Sequence, residues 1–346
     1  MHVGVVVPGA LEQPTGGYVY DRQLVEYLRG AGDDVTVVTI PGDGETWRVV
    51  DNLRPLLVRT LRSLDCDVVV QDTLCRPSLL LLNRFVASPT VGLVHRAASG
   101  HPDASRLERV IERRYLSGLS GLIYNSETTK RALDGTISPN HEVVATPGGD
   151  RFDRPPSDEA IRERAFEAPL RLLALGSVEP RKGYDTLVEA LQQLDPSAYE
   201  LRILGRVDAH PQFARRLSAQ IRRSEVNATL TGAVPDDVVQ DALGWAHVLV
   251  VPSRYEAFGI VYLEAMRFGV VPICTTAGAG PEVVGEDGIV VPPDDPSALA
   301  DVLRELSDDR DRLSERAFQA RQHFDRFPSW AETMDTVRSF LLDVIE

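Results

Sequence analysis

Residues 247–274 read HVLVVPSRYEAFGIVYLEAMRFGVVPIC and contain the elements of one repeating structural unit. The run VLVV is rich in β-branched residues and is followed by a proline, which predicts a buried strand ending near Ser253. The apolar residues of the following IVYLEAM recur at helical spacing, and VVPIC predicts another buried strand. A strand, a helix and a strand in this order predict a βαβ unit with parallel strands.

The same alternation extends over most of the chain. Short apolar runs that predict strands occur at 3–7, 35–40, 68–70, 90–94 and 121–125, and again at 170–176, 199–205, 226–232, 247–253 and 270–274. Between the two groups, residues 147–169 are rich in proline and charge and predict a linker. We therefore expect an α/β protein with two doubly wound parallel-sheet domains, whose ligand site lies at the carboxyl ends of the strands.

Length and charge agree with this organisation and exclude some functions. At 346 residues the chain is longer than one core usually fills, and 43% hydrophobic and 25% charged residues are ordinary for globular proteins. The formal net charge of -14 repels phosphate backbones, so we do not expect nucleic-acid binding. A second half that is more acidic than the first must place cations locally to bind an anion.

Three features predict a cytoplasmic protein. The opening HVGVVVPG is too short for a signal peptide, and no apolar run approaches the roughly 18 residues of a membrane span. The three cysteines have no zinc-binding spacing, which is typical of a reducing compartment. Two pairs of aspartates could suggest metal ligands. The pair at 65 and 67 only precedes a strand, and the pair at 309 and 311 lies in a polar helix, so we expect no metal site at either.

The central stretch carries two acids in different structural positions. Glu256 lies in the predicted loop between strand and helix, whereas Glu264 lies in the helix that begins near Gly259. The backbone N–H groups of Phe258, Gly259 and Ile260 are free at the helix start, where the dipole favours an anion such as a diphosphate. The two carboxylates then suit hydroxyl groups on either side of that anion. The alternative is that Glu256 caps the helix and Glu264 is an ordinary solvated residue.

A second constellation occurs in GSVEPRKGYDTLVEAL, residues 176–191, which again predicts a strand end, a turn and a helix. Arg181 and Lys182 stand at the start of that helix, where a fork of donors and a compact ammonium can neutralise a diphosphate. Lys182 is one of only two lysines among 37 basic residues, which favours a specific role. The alternative is that both are solvated residues at a helix start.

The first domain contributes weaker candidates. Gly16 and Gly17 follow the first strand and open a helix, so the backbone can approach a ligand closely, although a glycine pair is more often only a tight turn. His95 closes the strand VGLVH at the predicted ligand edge, where a histidine is as often a simple surface group.

Together these residues resemble the retaining glycosyltransferases of family four, which have the GT-B fold of two Rossmann-like domains that face each other across a cleft. The resemblance rests on the E-x7-E element from Glu256 to Glu264, on EPRKGYDTLVEAL, on the early glycine pair and on the closing GEDGIVVPPDDPSALADVL, and it covers nearly the whole chain. In this fold the last helix commonly returns to the first domain. We therefore expect an N-terminal acceptor-side domain of 1–150 plus 329–346 and a nucleotide-sugar domain of 151–328.

The resemblance implies roles for single residues. Glu256 resembles the acid that holds the donor sugar, Glu264 the acid that holds the ribose, and Lys182 with Arg181 the diphosphate cation. His95 resembles the first-domain histidine near the transferred sugar, and Gly16 and Gly17 the loop that meets the diphosphate. Ser177 departs from the pattern, because many relatives carry an arginine there.

The implied function is transfer of a sugar from a nucleotide diphosphate sugar to an unidentified acceptor, with retention and without a metal or other cofactor. Alternatives are another GT-B enzyme, such as a nucleotide-sugar epimerase or phosphorylase, and a non-catalytic nucleotide-sugar-binding protein. Because many relatives act on lipid-linked acceptors, the basic amphipathic stretch 47–64 is a candidate for peripheral contact with the inner membrane face; the alternative is a plain core helix.

Overall fold

The computed structural model describes residues 1–11, 13, 15–40, 55–286 and 288–346. Contacts among them divide the chain into two compact units. The first unit combines Met1–Pro147 with Pro328–Glu346, and the second unit is Gly148–Phe327. The proline-rich stretch that we interpret as a linker therefore begins at the point where the chain enters the second unit.

Parallel strands form the sheet of the first unit. Within the described ranges they are β1 (His2–Pro8), β2 (Asp34–Ile40), β3 (Val68–Asp72), β4 (Thr90–Val94), β5 (Gly121–Tyr124) and β6 (His141–Val144). Their order across the sheet is β2-β1-β3-β4-β5-β6, with every neighbouring pair parallel. The direction of winding reverses between β1 and β3, which is where open α/β sheets bind ligands.

Helices connect these strands. They are α1 (Gly16–Gly30), α2 (Pro55–Arg62), α3 (Arg76–Leu79), α4 (Arg106–Leu116) and α5 (Glu127–Arg131). The final helix, α14 (Trp330–Ile345), also belongs to this unit and begins with a capping box between Ser329 and Glu332. It is fixed to the first unit by Thr333, whose hydroxyl donates to Thr146 O at 2.6 Å, and by Arg338, whose Nε donates to Asp33 at 2.7 Å.

The second unit repeats the design. Its strands in the described part of the chain are β7 (Leu170–Leu175), β8 (Tyr199–Leu204), β9 (Ala228–Gly232), β10 (Val248–Val250), β11 (Val271–Thr275) and β12 (Ile289–Val291). Their order is β12-β11-β10-β7-β8-β9, again parallel throughout. The reversal of winding lies between β7 and β10, so the loops after these two strands flank the expected ligand position.

The helices of the second unit cover both faces of its sheet. They are α6 (Asp158–Ala165), α7 (Tyr184–Leu191), α8 (Pro211–Arg223), α9 (Asp236–Trp245), α10 (Ile260–Arg267), α11 (Gly280–Val284), α12 (Pro296–Asp308) and α13 (Arg310–Phe324). The central strands β7, β10 and β11 are buried almost throughout, as expected for a parallel sheet between two layers of helices. Their apolar side chains form the core from which the ligand loops project.

Two edge strands were not predicted from the sequence. The side chains of β6 are exposed or half-buried, and those of β12 are mostly so. An edge strand pairs on one side only, so it lacks the continuous apolar run that identifies the central strands.

The stretch considered for membrane contact is described only in part, since residues 47–54 lie outside the described residues. Of the remainder, α2 buries Leu57 and Leu61 in the core of the first unit, which favours the core-helix interpretation. Among the described helices, none combines the length and the apolar composition that crossing a bilayer requires.

Candidate functional site

The loops after β7 and β10 bring two predicted site residues into direct contact. Lys182 Nζ donates to Glu256 Oε2 at 2.6 Å, and the same oxygen accepts from Ser253 Oγ at 3.1 Å. Lys182 and Glu256 are each only 7% exposed. The ion pair therefore lies at the point where the strand order of the second sheet reverses.

Backbone geometry forces this approach of the two loops. Gly183 separates the turn Pro180–Lys182 from α7 and has φ 65°, a left-handed conformation that favours glycine. A Cβ on Gly183 would lie 2.1 Å from Pro252 O, so the close contact of the loops excludes any side chain here. Arg254 N also donates to Arg181 O at 2.8 Å. Lys182 is thus held against the loop that carries Glu256.

The cations beside Glu256 keep its carboxyl group ionised. Burial alone raises the pKa of a carboxyl, but Lys182 and Arg181 outweigh it and lower the pKa of Glu256 to about 2. Glu256 is therefore an anion at neutral pH despite its burial. A buried carboxylate beside an ammonium can accept hydrogen bonds from hydroxyl groups while the ammonium faces a second anion.

Arg181 extends the cationic side of the site. Its Nη1 lies 3.5 Å from Glu256 Oε1 and donates to Tyr255 O at 3.0 Å, while Nη2 pairs with Glu179. Its side chain remains 26% exposed, so the guanidinium is accessible to a ligand. Ser177 lies two residues after the end of β7, in the loop that leads to Arg181, and its side chain is half-buried.

The start of α10 has the features predicted for anion binding. Gly259 caps the helix with φ 89°, and a Cβ there would lie 2.4 Å from the Tyr262 ring, so glycine is required. The N–H groups of Phe258, Gly259 and Ile260 have no acceptor among the described residues. Three free donors at the positive end of a helix suit a phosphate oxygen.

Glu264 occupies a different environment from Glu256. It is 2% exposed, and its Oε1 pairs with Arg151 Nε at 2.9 Å. Arg151 also contacts Asp236 at 3.3 Å, and its guanidinium lies over the Phe152 ring at 4.3 Å. Burial raises the pKa of Glu264, and Arg151 opposes this only in part. The solvated-residue alternative is therefore wrong, and the two acids have separate partners.

In the first unit, the glycine pair and His95 are also brought together. α1 begins at Gly16, and a Cβ on Gly17 would lie 3.4 Å from His95 Cδ2, so the glycine rests against the imidazole. His95 is 7% exposed, and its Nε2 lies 3.2 Å from Asp21 Oδ1. His95 is therefore a buried, partnered group and not a surface histidine.

Sequence reasoning missed three residues around these sites. Arg151 lies in the proline-rich stretch that we interpreted as a linker, although a cation there beside an acidic helix start at Asp236 is a usable signal. Asp21 and Asp72 approach His95 from α1 and from the end of β3. A single aspartate in a helix or at a strand end carries no spacing pattern, so only the fold brings these two together.

Known proteins resemble this chain in sequence over the residues of the site. Residues 169–309, which include Lys182, Glu256 and Glu264, match the family model described as glycosyl transferases group 1. D-inositol 3-phosphate glycosyltransferase of Corynebacterium kroppenstedtii is 27% identical over 276 residues, covering 74% of this chain and 61% of the relative. The enzyme of the same name from Xylanimonas cellulosilytica is 35% identical over 215 residues, covering 58% and 50%. The chain thus spans about half to three fifths of the length of these relatives.

Solved structures resemble the chain over its whole length. Sucrose-phosphate synthase from Thermosynechococcus elongatus has a TM-score of 0.83 at 19% identity, covering 99% of this chain and 98% of that one. Anabaena HepE in complex with UDP and glucose has a TM-score of 0.78 at 18% identity, covering 98% and 99%. Together with the two doubly wound parallel sheets, these likenesses confirm the predicted α/β GT-B fold.

Proposed function

We propose that this chain, whose residues 169–309 match the family model described as glycosyl transferases group 1, moves a sugar from a nucleotide diphosphate sugar to an acceptor. The reaction proceeds with retention at the anomeric carbon and without a metal ion. Relatives named D-inositol 3-phosphate glycosyltransferase support the reaction class. The HepE structures, with UDP and glucose or with UDP-glucose, support a nucleotide-sugar donor.

One observation carries the proposal. Lys182 and Glu256 form a buried ion pair at the switch point of the second sheet, and the open N–H groups at the start of α10 follow Glu256 by two to four residues. A cation, a carboxylate and a helix start in one place suit a ligand that joins an anion to hydroxyl groups. A sugar attached to a diphosphate is such a ligand.

The anionic half of the mechanism concerns the leaving group. As the bond from the anomeric carbon to the diphosphate breaks, negative charge grows on the phosphate oxygen. Lys182, Arg181 and the N–H groups at Gly259 and Ile260 stabilise this charge from fixed positions, which is the role that a divalent cation has in other enzymes. This arrangement is the reason for proposing metal independence.

The sugar half concerns position. Glu256 is held by Lys182 and Ser253 and keeps acceptor capacity for sugar hydroxyls. It therefore orients the donor and does not attack it. The acceptor hydroxyl adds to the anomeric carbon on the face that the diphosphate leaves, and its proton passes to the departing phosphate oxygen, so that charge and configuration are conserved.

Glu264 is proposed to hold the nucleotide part of the donor. A carboxylate in the second turn of α10 suits a ribose diol, to which it offers two acceptor oxygens. Its present partner, Arg151, is a cation that holds this carboxylate in place. His95, in the first unit, is proposed to contact the transferred sugar, and Gly16 and Gly17 the diphosphate.

The proposal is tested by incubating the protein with UDP-, GDP- and ADP-sugars, with and without EDTA, and following release of the nucleoside diphosphate by mass spectrometry. We expect slow hydrolysis of one donor, unaffected by EDTA, and faster release with the correct acceptor. NMR of the product anomer reports retention. Absence of turnover with every donor, combined with saturable donor binding, would instead support the binding-protein alternative.

The other alternative is a nucleotide-sugar epimerase or phosphorylase of the same fold. It is distinguished by the same assay, because an epimerase changes the sugar without an acceptor and a phosphorylase requires inorganic phosphate. The named relatives favour transfer. We also propose a cytoplasmic location with peripheral contact to the inner membrane face, and flotation with anionic liposomes tests that contact.

A further inference from the structure

A buried polar cluster lies at the switch point of the first sheet. Asp21 projects from α1, which follows β1, Asp72 ends β3, and His95 follows β4. One side-chain nitrogen or oxygen atom from each of the three residues lies within 4.8 Å of the corresponding atoms of the other two. The fold therefore collects three titratable groups at the position where the winding of the sheet reverses.

The cluster places two carboxylates where water does not reach them. Asp21 is 1% and Asp72 2% exposed. Asp72 Oδ1 accepts from the Leu74 N–H at 2.7 Å, and Asp21 Oδ1 contacts His95 Nε2. The second oxygen of Asp21 has no hydrogen-bond partner in the described part of the chain. When both carboxylates are ionised, they require a nearby positive charge.

The cations around the cluster are limited. Arg76, the arginine that acts on Asp72, has its Nη1 3.8 Å from Glu112, so its charge is shared with that carboxylate. His95 contacts Asp21 directly and lies close enough to Asp72 for each of these two groups to shift the pKa of the other. A proton on the second ring nitrogen of His95 would supply a positive charge within the cluster.

We infer that Asp21 and Asp72 are positioning residues that hold His95 as an imidazolium, with Nε2–H directed at Asp21 and Nδ1–H left to donate to an oxygen of the substrate. The inference rests on the proposed function for the identity of that substrate, a nucleotide sugar. Nδ1 has no hydrogen-bond partner among the described residues. Gly17 lies against the ring and keeps it in place.

The electrostatics agree with this geometry. Burial lowers the pKa of His95, but Asp72 and Asp21 outweigh it, so the pKa is raised above the usual 6.5. Burial and Asp21 raise the pKa of Asp72 to about 7, against His95 and Arg76. Tyr20, whose ring edge faces His95, and Cys75 beside Asp72 both stay neutral, because burial raises the pKa of each.

The protonation state decides what His95 can do. A neutral imidazole with its proton on Nε2 would offer Nδ1 only as an acceptor. An imidazolium makes Nδ1–H a charge-assisted donor, which suits a sugar hydroxyl or a phosphoryl oxygen that gains charge during transfer. The two aspartates thus determine whether Nδ1 of His95 acts as a donor or an acceptor, although they do not contact the substrate themselves.

The test is a titration that does not depend on activity. The full chain labelled with ¹⁵N-histidine is titrated by NMR, with His95 assigned from His95→Gln. We expect the ring to titrate above pH 6.5 and the midpoint to fall by about one unit or more in Asp21→Asn and in Asp72→Asn. Asp65→Asn, an exposed aspartate of the same unit, is the control and leaves the midpoint unchanged.

Kinetics give a second readout with a defined sign. Because the imidazolium exists below its pKa, kcat falls as pH rises through that value, and both variants shift the fall to lower pH with little change in donor KM. The inference is overturned if the titration midpoint of His95 is the same in both variants as in the unmodified protein. It is also overturned if the ring binds a divalent metal ion in place of the proton. If no donor is turned over but the midpoint still shifts, the cluster stands and the proposed function fails.

Discussion

The chain has two lysines, and each forms an ion pair of almost equal length with a glutamate. Lys182 Nζ lies 2.6 Å from Glu256 with both side chains 9% exposed, whereas Lys130 Nζ lies 2.8 Å from Glu142 with side chains 32% and 36% exposed. Equal distances therefore occur in very different surroundings. Water screens the surface pair, so such pairs typically contribute about 0 to 1 kcal/mol. In a buried pair, removing one charge destabilises the protein much more, because the other charge is left desolvated and unpaired.

Stability alone does not explain why the second unit buries its ion pair. Two apolar side chains would fill that volume as well or better for stability, since ion pairs in a core often give no net gain. The second unit keeps the charges at the switch point of its sheet, while the surface pair joins α5 to the edge strand β6. Four single substitutions test the contrast between the buried and the exposed pair.

Glu256→Gln is expected to cost about 3 to 5 kcal/mol of unfolding free energy, because it leaves the Lys182 ammonium buried without its anion. Urea denaturation at pH 7 measures the loss. The double variant Lys182→Met with Glu256→Gln should recover most of it, since neither charge is then unpaired. Glu142→Gln is the matched surface control. An equally small loss in both single variants would show that burial does not distinguish the pairs.

Lys182→Met is expected to lower kcat by about 10² to 10³-fold, the effect of removing one fixed group that stabilises charge on the leaving oxygen. Initial rates at saturating donor measure it. The affinity for the free nucleoside diphosphate should change less than kcat, because charge on the oxygen is greatest in the transition state. A loss confined to donor KM would contradict this role.

Glu264→Gln is expected to raise the donor KM by about tenfold with little change in kcat, since a neutral acceptor still fits but loses the charge-assisted bonds to the ribose. Isothermal titration with the nucleoside diphosphate measures the change in binding.

The effect of Glu264→Gln on the free energy of unfolding depends on pH with a definite sign. Because burial raises the pKa of Glu264, ionising it opposes folding, so the variant gains relative stability as pH rises through the range between the ordinary and raised values. Unchanged donor binding would remove Glu264 from the site.

Lys130→Met is expected to change neither kcat nor the denaturation midpoint measurably, because its partner is also exposed to water. The same assays used for Lys182→Met measure it. A large loss of activity in this variant would show that the lysine of the first unit has a role that the comparison overlooks.

Much of the second unit was predictable because its signals are local. Apolar runs identified the central strands, and Glu256, Lys182 and Gly259 fall in loops whose positions follow from strand and helix periods. The contact between Lys182 and Glu256 was not predictable, since the two residues are 74 positions apart. It depends on β7 and β10 being neighbours, and periodicity does not give strand order.

Other features leave no local signal at all. The edge strands β6 and β12 lack buried runs, and Arg151 lies in a segment with the composition of a linker. The aspartates around His95 come from separate elements, so only the folded structure shows that they act on one imidazole. Sequence patterns thus find residues that follow a strand, but not the partners that set the charge of those residues.

The path of the chain has a consequence for biosynthesis. Gly148–Phe327 is one continuous segment, whereas the first unit needs Pro328–Glu346 as well as Met1–Pro147. Proteins emerge from the ribosome amino end first, and domains generally fold as units. The second unit can therefore assemble while the first still lacks α14, and Asp33 cannot pair with Arg338 until the chain that follows the second unit has been synthesised.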